Sequence, residues 1–361
     1  MGKMLTTLLK KQRISKPVLF FLMLTLPLAV QAQNRQPAAV TVTNSKGEAA
    51  FSYLVNTPDP DMKKIPTSVT TQRQKNPAEF IRLLAEYINE KSESDFERVK
   101  KAHDWVALNI KYDTQSYFSG RFSSQDFDAV IKRGNAVCAG YSDVFKYLCD
   151  ALEIECIIVE GHARWNIGDE IYKYDDVMIS NHAWNIVTID GEKYLIDTTW
   201  DSGYLQGRNF EVRYKTDYFF ADPAIFIYNH FSYDASTQLL DPPVSAEEFD
   251  NLPFISPLFF HAFETWPNLA RITEIIPGDN ITVDKNTLDF SLKEGYELSY
   301  CWCTSRGAQI GSRYFPAKRE AYNISIPKLN PGKHFLRVSV RKAGERLYWD
   351  CAEFGFVVID G

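Results

Sequence analysis

The stretch from residue 182 to residue 200 leaves this chain little freedom. His182 to Ile189 alternates, Lys193 to Trp200 alternates again, and Asp190-Gly191 stands between them. Asp-Gly in a two-residue loop signals a hairpin turn, and the turn fixes the register of both strands. With these residues at the tip, position 182 lies opposite position 199. Asp197 is then the diagonal neighbour of His182 on one face, within side-chain reach. Trp184 and Ile186 share that face and are expected to shield the pair from water. A histidine whose second ring nitrogen is held by a carboxylate has a fixed tautomer and a stabilised imidazolium, as a general base requires.

Upstream, Asn135-Ala136-Val137-Cys138-Ala139-Gly140-Tyr141 opens a helix with apolar positions at 141, 144, 145, 148 and 152. Cys138 falls in its first turn, where the helix dipole and unpaired N–H groups favour thiolate over thiol. The same N–H groups, the Cys138 amide first, are placed to hold an oxyanion. Gly140 reads as room for a substrate backbone. Each residue alone has a plain structural reading: a small buried cysteine, a satisfied core histidine, a strand-end acid. Together they read as nucleophile (Cys138), base (His182) and orienter (Asp197). His162, at the end of the preceding Ile154–Glu160 strand, reads as a substrate-side or structural histidine. His103 lies in the apolar stripe of a helix and reads as core, while Asp190 and Asp201 read as turn acids. Ser142 and Ser180 lack a G-x-S-x-G context, and there is no Gly-rich phosphate loop.

The rest of the chain frames this segment. Five cationic residues and no acid precede an apolar run from Val18 to Val30, and Val30-Gln31-Ala32 resembles a cleavage site. Residues 1–32 therefore read as a secretory signal, too short in its apolar run for a membrane span of about 20 residues. Its removal lowers the formal charge of −6 by five, to −11. So acidic a chain is a poor partner for nucleic acid or anionic lipid, and no stable membrane span is expected after cleavage. Residues 33–77 read as an extended lead-in, with a strand near 49–55. Helices are expected at about 78–90, from the Ser94–Glu97 capping box onward, and at roughly 125–133, ending at Gly134. Short strands at 272–276, 281–283, 297–303, 322–326, 335–340 and 354–359 suggest a small Ig-like β-sandwich over 269–361. Six cysteines are too few for a disulfide scaffold of this length. None has zinc spacing; Cys149 and Cys156 read as core residues, and Cys351 with Cys301 or Cys303 is one pairing that export would allow.

Three strings resemble the blocks of the transglutaminase-like superfamily: Val137-Cys138-Ala139-Gly140-Tyr141, Asn181-His182-Ala183-Trp184-Asn185 and Tyr194-Leu195-Ile196-Asp197-Thr198-Thr199-Trp200-Asp201. They are most similar to its kyphoscoliosis peptidase branch. That branch also has a W-x-x-x-x-I-x-Y-D block, matched by Trp105 to Asp113, and a tail matched by Tyr218–Pro223 and Leu239–Pro243. The resemblance spans roughly 78–265 and implies an α+β, papain-like domain over 78–268. It places the family's triad on Cys138, His182 and Asp197. Tyr112, Gln115 and Tyr117 are candidates for a side-chain oxyanion donor.

The function expected is an exported thiol acyl-transfer enzyme acting on protein or peptide amides, hydrolytic, with no cofactor and no metal. The periplasm, the cell surface or the extracellular space is its expected location. Two alternatives stand beside it: a protein-crosslinking transglutaminase, and a catalytically silent binding or scaffolding protein. In the last, the C-terminal sandwich would dock a protein partner.

Overall fold

The computed structural model describes residues 39–166, 173–174, 177–266, 272–275, 287–315 and 321–359. The signal segment and the expected strand at 281–283 lie outside these residues. The N-terminal part begins with a hairpin of β1 (Ala39–Thr43) and β2 (Ala49–Leu54), then short helical turns between 60 and 75. So the stretch to residue 77 is more than an extended lead-in. Tyr53, Met62 and Val69 are buried in the core beside the helices that follow.

Helices α1 (Pro77–Glu90), α2 (Asp95–Asn109), α3 (Phe127–Arg133) and α4 (Cys138–Ala151) come next. Each starts or stops where its sequence dictates. The Asn76 side chain caps α1 from Glu79 N, with Pro77 at the first turn. Ser94 accepts from Glu97 N at the start of α2, and Gly134 ends α3 at φ 76°, the left-handed region open to glycine. Apolar residues of all four helices form one core with the back of the central sheet.

That sheet contains β3 (Glu155–Ala163), β4 (His182–Ile189), β5 (Glu192–Ile196), β6 (Phe219–Ala221) and β7 (His230–Ser232), in the order β6-β5-β4-β3-β7. All its pairings are antiparallel. Asp190 and Gly191 form the β4–β5 turn at φ 54° and 81°, and Ile189 pairs with Glu192 through to Asn185 with Ile196. This is the register read from the turn. The second strand stops earlier than expected, however: Asp197 caps the short helix α5 (Thr198–Ser202) in place of continuing to Trp200.

Beyond residue 250 the chain forms two further sheets. One takes β8 (Phe254–Ile255), β10 (Ile272–Ile275), β12 (Tyr296–Thr304), β13 (Gln309–Tyr314), β15 (Gly332–Lys342) and β16 (Trp349–Val358). The other takes β9 (Phe263–Thr265), β11 (Thr287–Leu292) and β14 (Ala321–Ser325). Both contribute to one apolar cluster, with Phe263, Phe290 and Ile324 from the smaller sheet and Trp302, Val338 and Phe354 from the larger. β8 pairs with β16 across the 268/269 boundary read from the sequence. Strands β11 and β13 were not anticipated. All six cysteines are free thiols. Cys301 and Cys303 face each other with sulfurs 3.6 Å apart. Cys351 lies in the other cluster, its thiol donating to Val338 O at 3.4 Å, so no disulfide joins it to either. Among the described residues no helix is long and apolar enough to cross a membrane.

Candidate active site

Cys138 is the first residue of α4, and Val137 before it is extended. Two short pairings set this entry: Lys111 with Asn135 and Tyr112 with Ala136, in parallel. The Gln125 side chain accepts from Val137 N at 2.9 Å. Gly140 serves this packing, correcting its reading as space for substrate. A Cβ there would stand 2.7 Å from both Ala136 Cβ and Gln125 Oε1, and 2.9 Å from Val130 Cγ2. Gly140→Ala is therefore expected to lower the melting temperature by a few degrees, since overpacking costs about 1–3 kcal/mol and alanine returns at most about 1 in helix propensity. A melt at or above the parent value would show that these three neighbours give way.

His182 opens β4 and Asp197 follows β5, so the hairpin brings them to one end of the sheet. His182 Nε2 lies 2.7 Å from Asp197 Oδ2, with both side chains buried. Asp197 Oδ1 accepts from Thr199 N at 2.8 Å and Trp200 N at 3.1 Å. Capping a helix and holding a histidine are thus done by one carboxylate. Trp184 and Trp200 cover the imidazole, with ring centroids 6.1 and 5.5 Å away.

Cys138 meets the other side of His182. Burial would push its thiol up, but the charge and hydrogen bond of His182, with the Ala183 amide, outweigh it and hold the thiol below its ordinary range. Burial would likewise lower His182. Asp197 and Cys138 overcome it by charge and hydrogen bonding, and its pKa is raised to about 10. For Asp197, burial opposes ionisation, and His182 and then His230 reverse this, leaving the carboxyl well below the usual carboxylate range. The favoured state is thiolate, imidazolium and carboxylate in a row.

His230, from β7, was not singled out in the sequence. Its Nε2 lies 3.1 Å from the same Asp197 Oδ2, and its Nδ1 lies 2.7 Å from Asn229 Oδ1. The 33 residues separating it from Asp197 carry no periodicity linking the two, and only the pairing of β7 with β3 brings it in. His182, Asp197 and His230 each bring one potential ligand atom within 4.8 Å of the other two, as residues around a metal ion do. Ligands about 2.0–2.1 Å from a tetrahedral ion stand about 3.3 Å apart, whereas Oδ2 is 2.7 and 3.1 Å from the two nitrogens. Those spacings are the lengths of hydrogen bonds.

The other candidates separate. His162 is buried with its ring against Phe249, at a centroid distance of 6.0 Å. His103 is more than a core residue: its Nδ1 is 3.0 Å from Asp104 Oδ1 and its Nε2 3.0 Å from Asp201 Oδ2. Asp201, read as a turn acid, is fully buried, and burial lifts its pKa to about 6 against the pull of His103. Of the three oxyanion candidates, Tyr112 lies within reach of the Cys138 charge, which with burial keeps its phenol protonated. Tyr117 packs edge-on against Tyr112, 5.6 Å between centroids, and Gln115 is exposed.

A cysteine at a helix start, set against a histidine and an acid on an antiparallel sheet, defines a thiol–histidine–acid class of α+β domain. Residues 82–197, which contain all three, match the model of the transglutaminase-like superfamily. The chain thus carries a transglutaminase-like domain. It is similar to kyphoscoliosis peptidase of Mus musculus, 28% identical over 56% of this chain and 31% of that protein. The Homo sapiens protein is 29% identical, with the same coverage of both chains. Hillarin of Drosophila melanogaster is 24% identical over 60% of this chain and 29% of its own length. The chain spans about a third of the length of these curated relatives.

Proposed function

We propose that the chain is an exported thiol enzyme that hydrolyses protein or peptide amides, with Cys138 as nucleophile, His182 as acid and base, and Asp197 as orienter. The observation that carries this is the placing of His182 between a thiol with a depressed pKa and a buried carboxylate. Asp197 occupies Nε2, so Nδ1 is the nitrogen that takes the Cys138 proton. The thiolate then adds to the amide carbonyl, a C–S bond forms, and the carbonyl electron pair moves to oxygen, where the N–H groups at the start of α4 receive it. Collapse breaks the C–N bond, the amine leaves with the His182 proton, and a thioester remains. Water, deprotonated by His182, adds to the thioester and releases the acid and the thiolate.

An amine in place of water would give transamidation. The similarity to proteins named peptidases and the excess of water over amines favour hydrolysis. Export rests on the basic and apolar segments within residues 1–32. The C-terminal sheets, read as an Ig-like module, supply a surface for a protein partner.

The test is iodoacetamide labelling of Cys138 against pH, read by mass spectrometry, in the parent protein and His182→Ala. An ordinary thiol is only about 0.3% thiolate at pH 6. The depressed thiol predicts fast labelling at pH 6, slowed about 100-fold by His182→Ala. Labelling that rises only near pH 8.5 and ignores the substitution would overturn the catalytic reading.

A further inference from the structure

Asp197 accepts four hydrogen bonds, two on each oxygen, and one of them comes from a second histidine outside the three residues proposed to carry the reaction. Oδ1 is occupied by the Thr199 and Trp200 amides. Oδ2 is shared between His182 at 2.7 Å and His230 at 3.1 Å. His230 is 1% exposed. Its ring lies between Phe226, stacked at 4.0 Å, and Trp200, at 4.4 Å between centroids. Trp184 and Tyr218 close the remaining sides at 5.3 and 5.2 Å. Such a ring has little freedom to turn away from the carboxylate.

We infer that His230 is a positioning residue: as a neutral imidazole it donates from Nε2 to Asp197, drawing off part of the carboxylate charge and so limiting how tightly His182 holds its proton. The inference rests on the catalytic reading above.

Proton accounting supports it. The charged and titratable groups facing His230 are Asp197 from the end of β5, His182 from β4, His162 from β3 and Tyr218 just before β6, whose phenol burial keeps protonated. Burial keeps the ring neutral, with a pKa lowered to about 4; Asp197 opposes this, and His182 and His162 add to it. A neutral imidazole has one proton for two partners, Asp197 Oδ2 and the Asn229 amide. Placing it on Nδ1 would point the Nε2 lone pair at a carboxylate, which is repulsive. Placing it on Nε2 satisfies Asp197, and the Asn229 amide then turns to present its NH2 to Nδ1. Little is lost by that turn. The Asn229 contact with Ile255 O is long, at 3.5 Å, and the Tyr218 hydroxyl at 2.9 Å can donate as well as accept.

The sign of the effect follows. A neutral donor on Oδ2 weakens the pull of Asp197 on His182. Without it more of the negative charge falls on His182, its pKa rises, and it releases its proton to the leaving amine less readily. A histidine with a purely structural role would move stability and leave that pKa alone.

Two polar variants separate these roles. The amide of His230→Gln reaches the Nε2 position, whereas that of His230→Asn reaches only Nδ1. The readout is alkylation of Cys138 by anionic iodoacetate relative to neutral iodoacetamide, followed from pH 5 to 11. The ratio falls where the imidazolium next to the thiolate loses its proton. In His230→Asn the fall should move up by about one pH unit, while His230→Gln should match the parent to within about 0.3 unit. A second measurement needs no variant. Ring nitrogen NMR shifts of the intact protein at pH 7 should place the single proton of His230 on Nε2. Equal profiles for both variants and the parent, or a proton on Nδ1, would overturn the assignment of His230 alone. A parent Cys138 that titrates as an ordinary thiol would overturn the catalytic reading and this inference with it.

Discussion

Cys138→Ala is expected to reduce amide turnover at least about 10⁴-fold while leaving the melting temperature within about 3 °C of the parent. The two halves of this expectation have separate causes. In the proposed mechanism the thiolate forms the covalent bond, and the other described cysteines, Cys149, Cys156, Cys301, Cys303 and Cys351, are all buried, with burial pushing Cys149 and Cys351 well above the ordinary thiol value. Stability, by contrast, depends little on the sulfur. The entry to α4 is fixed by the backbone pairing of Tyr112 with Ala136 and by Gln125 on Val137 N, neither of which uses the thiol. His182 loses one anionic neighbour and keeps Asp197. Turnover measured with a peptide mixture, together with a thermal melt, checks both parts. Residual turnover above about 1% of the parent would move the nucleophile elsewhere. A fall of more than about 10 °C would make Cys138 a structural residue.

The site was legible in the sequence to different depths, and the differences are physical. The hairpin could be read because a two-residue turn with positive φ has few solutions. Asp190-Gly191 therefore fixed the register and with it the diagonal from His182 to Asp197. The end of β5 could not be read in the same way. A periodicity of two runs on to Trp200, but Asp197 turns its carboxylate to the Thr199 and Trp200 amides and starts a helix. Helix α2 shows the reverse problem. An apolar stripe ordinarily leaves the opposite face of a helix to solvent, yet Lys100, Lys101 and Asp104 are buried too. The segment before α1 folds over them: Lys101 pairs with Asp59 at 3.1 Å, and Asp59 N donates to Asp104 Oδ2 at 2.6 Å. Amphipathic reading finds the face turned to the largest core and is blind to a second cover made of polar contacts. His230 was beyond reach for a related reason, since long-range strand pairing leaves no local trace in the residues it joins.

Asp197→Asn tests that carboxylate most directly, and its expected effect is a fall in turnover of about 10³–10⁴-fold with the fold retained. The asparagine carbonyl can still accept from the Thr199 and Trp200 amides, so α5 keeps its cap. What changes is the other end of the side chain, where an NH2 would face Nε2 of His182. Two donors cannot face each other, so His182 must bare Nε2 and carry its proton on Nδ1, toward Cys138. It can then no longer take the thiol proton, and labelling of Cys138 should shift to the ordinary thiol range near pH 8.5. Stability changes in a pH-dependent way. The depressed Asp197 contributes above its unfolded value near 4 and loses that contribution as pH falls through its lower folded value. The raised His182 contributes fully below about 6.5 and loses its share as pH rises through about 10. The difference between parent and Asp197→Asn in urea unfolding should therefore be largest, of the order of 3 kcal/mol, between pH 4 and 6.5. It should shrink toward pH 10 and again at strong acid. A difference that stays flat from pH 3 to 10 would mean that Asp197 and His182 share no charge, and the ion pair would have to be removed from both the stability and the mechanism of the site.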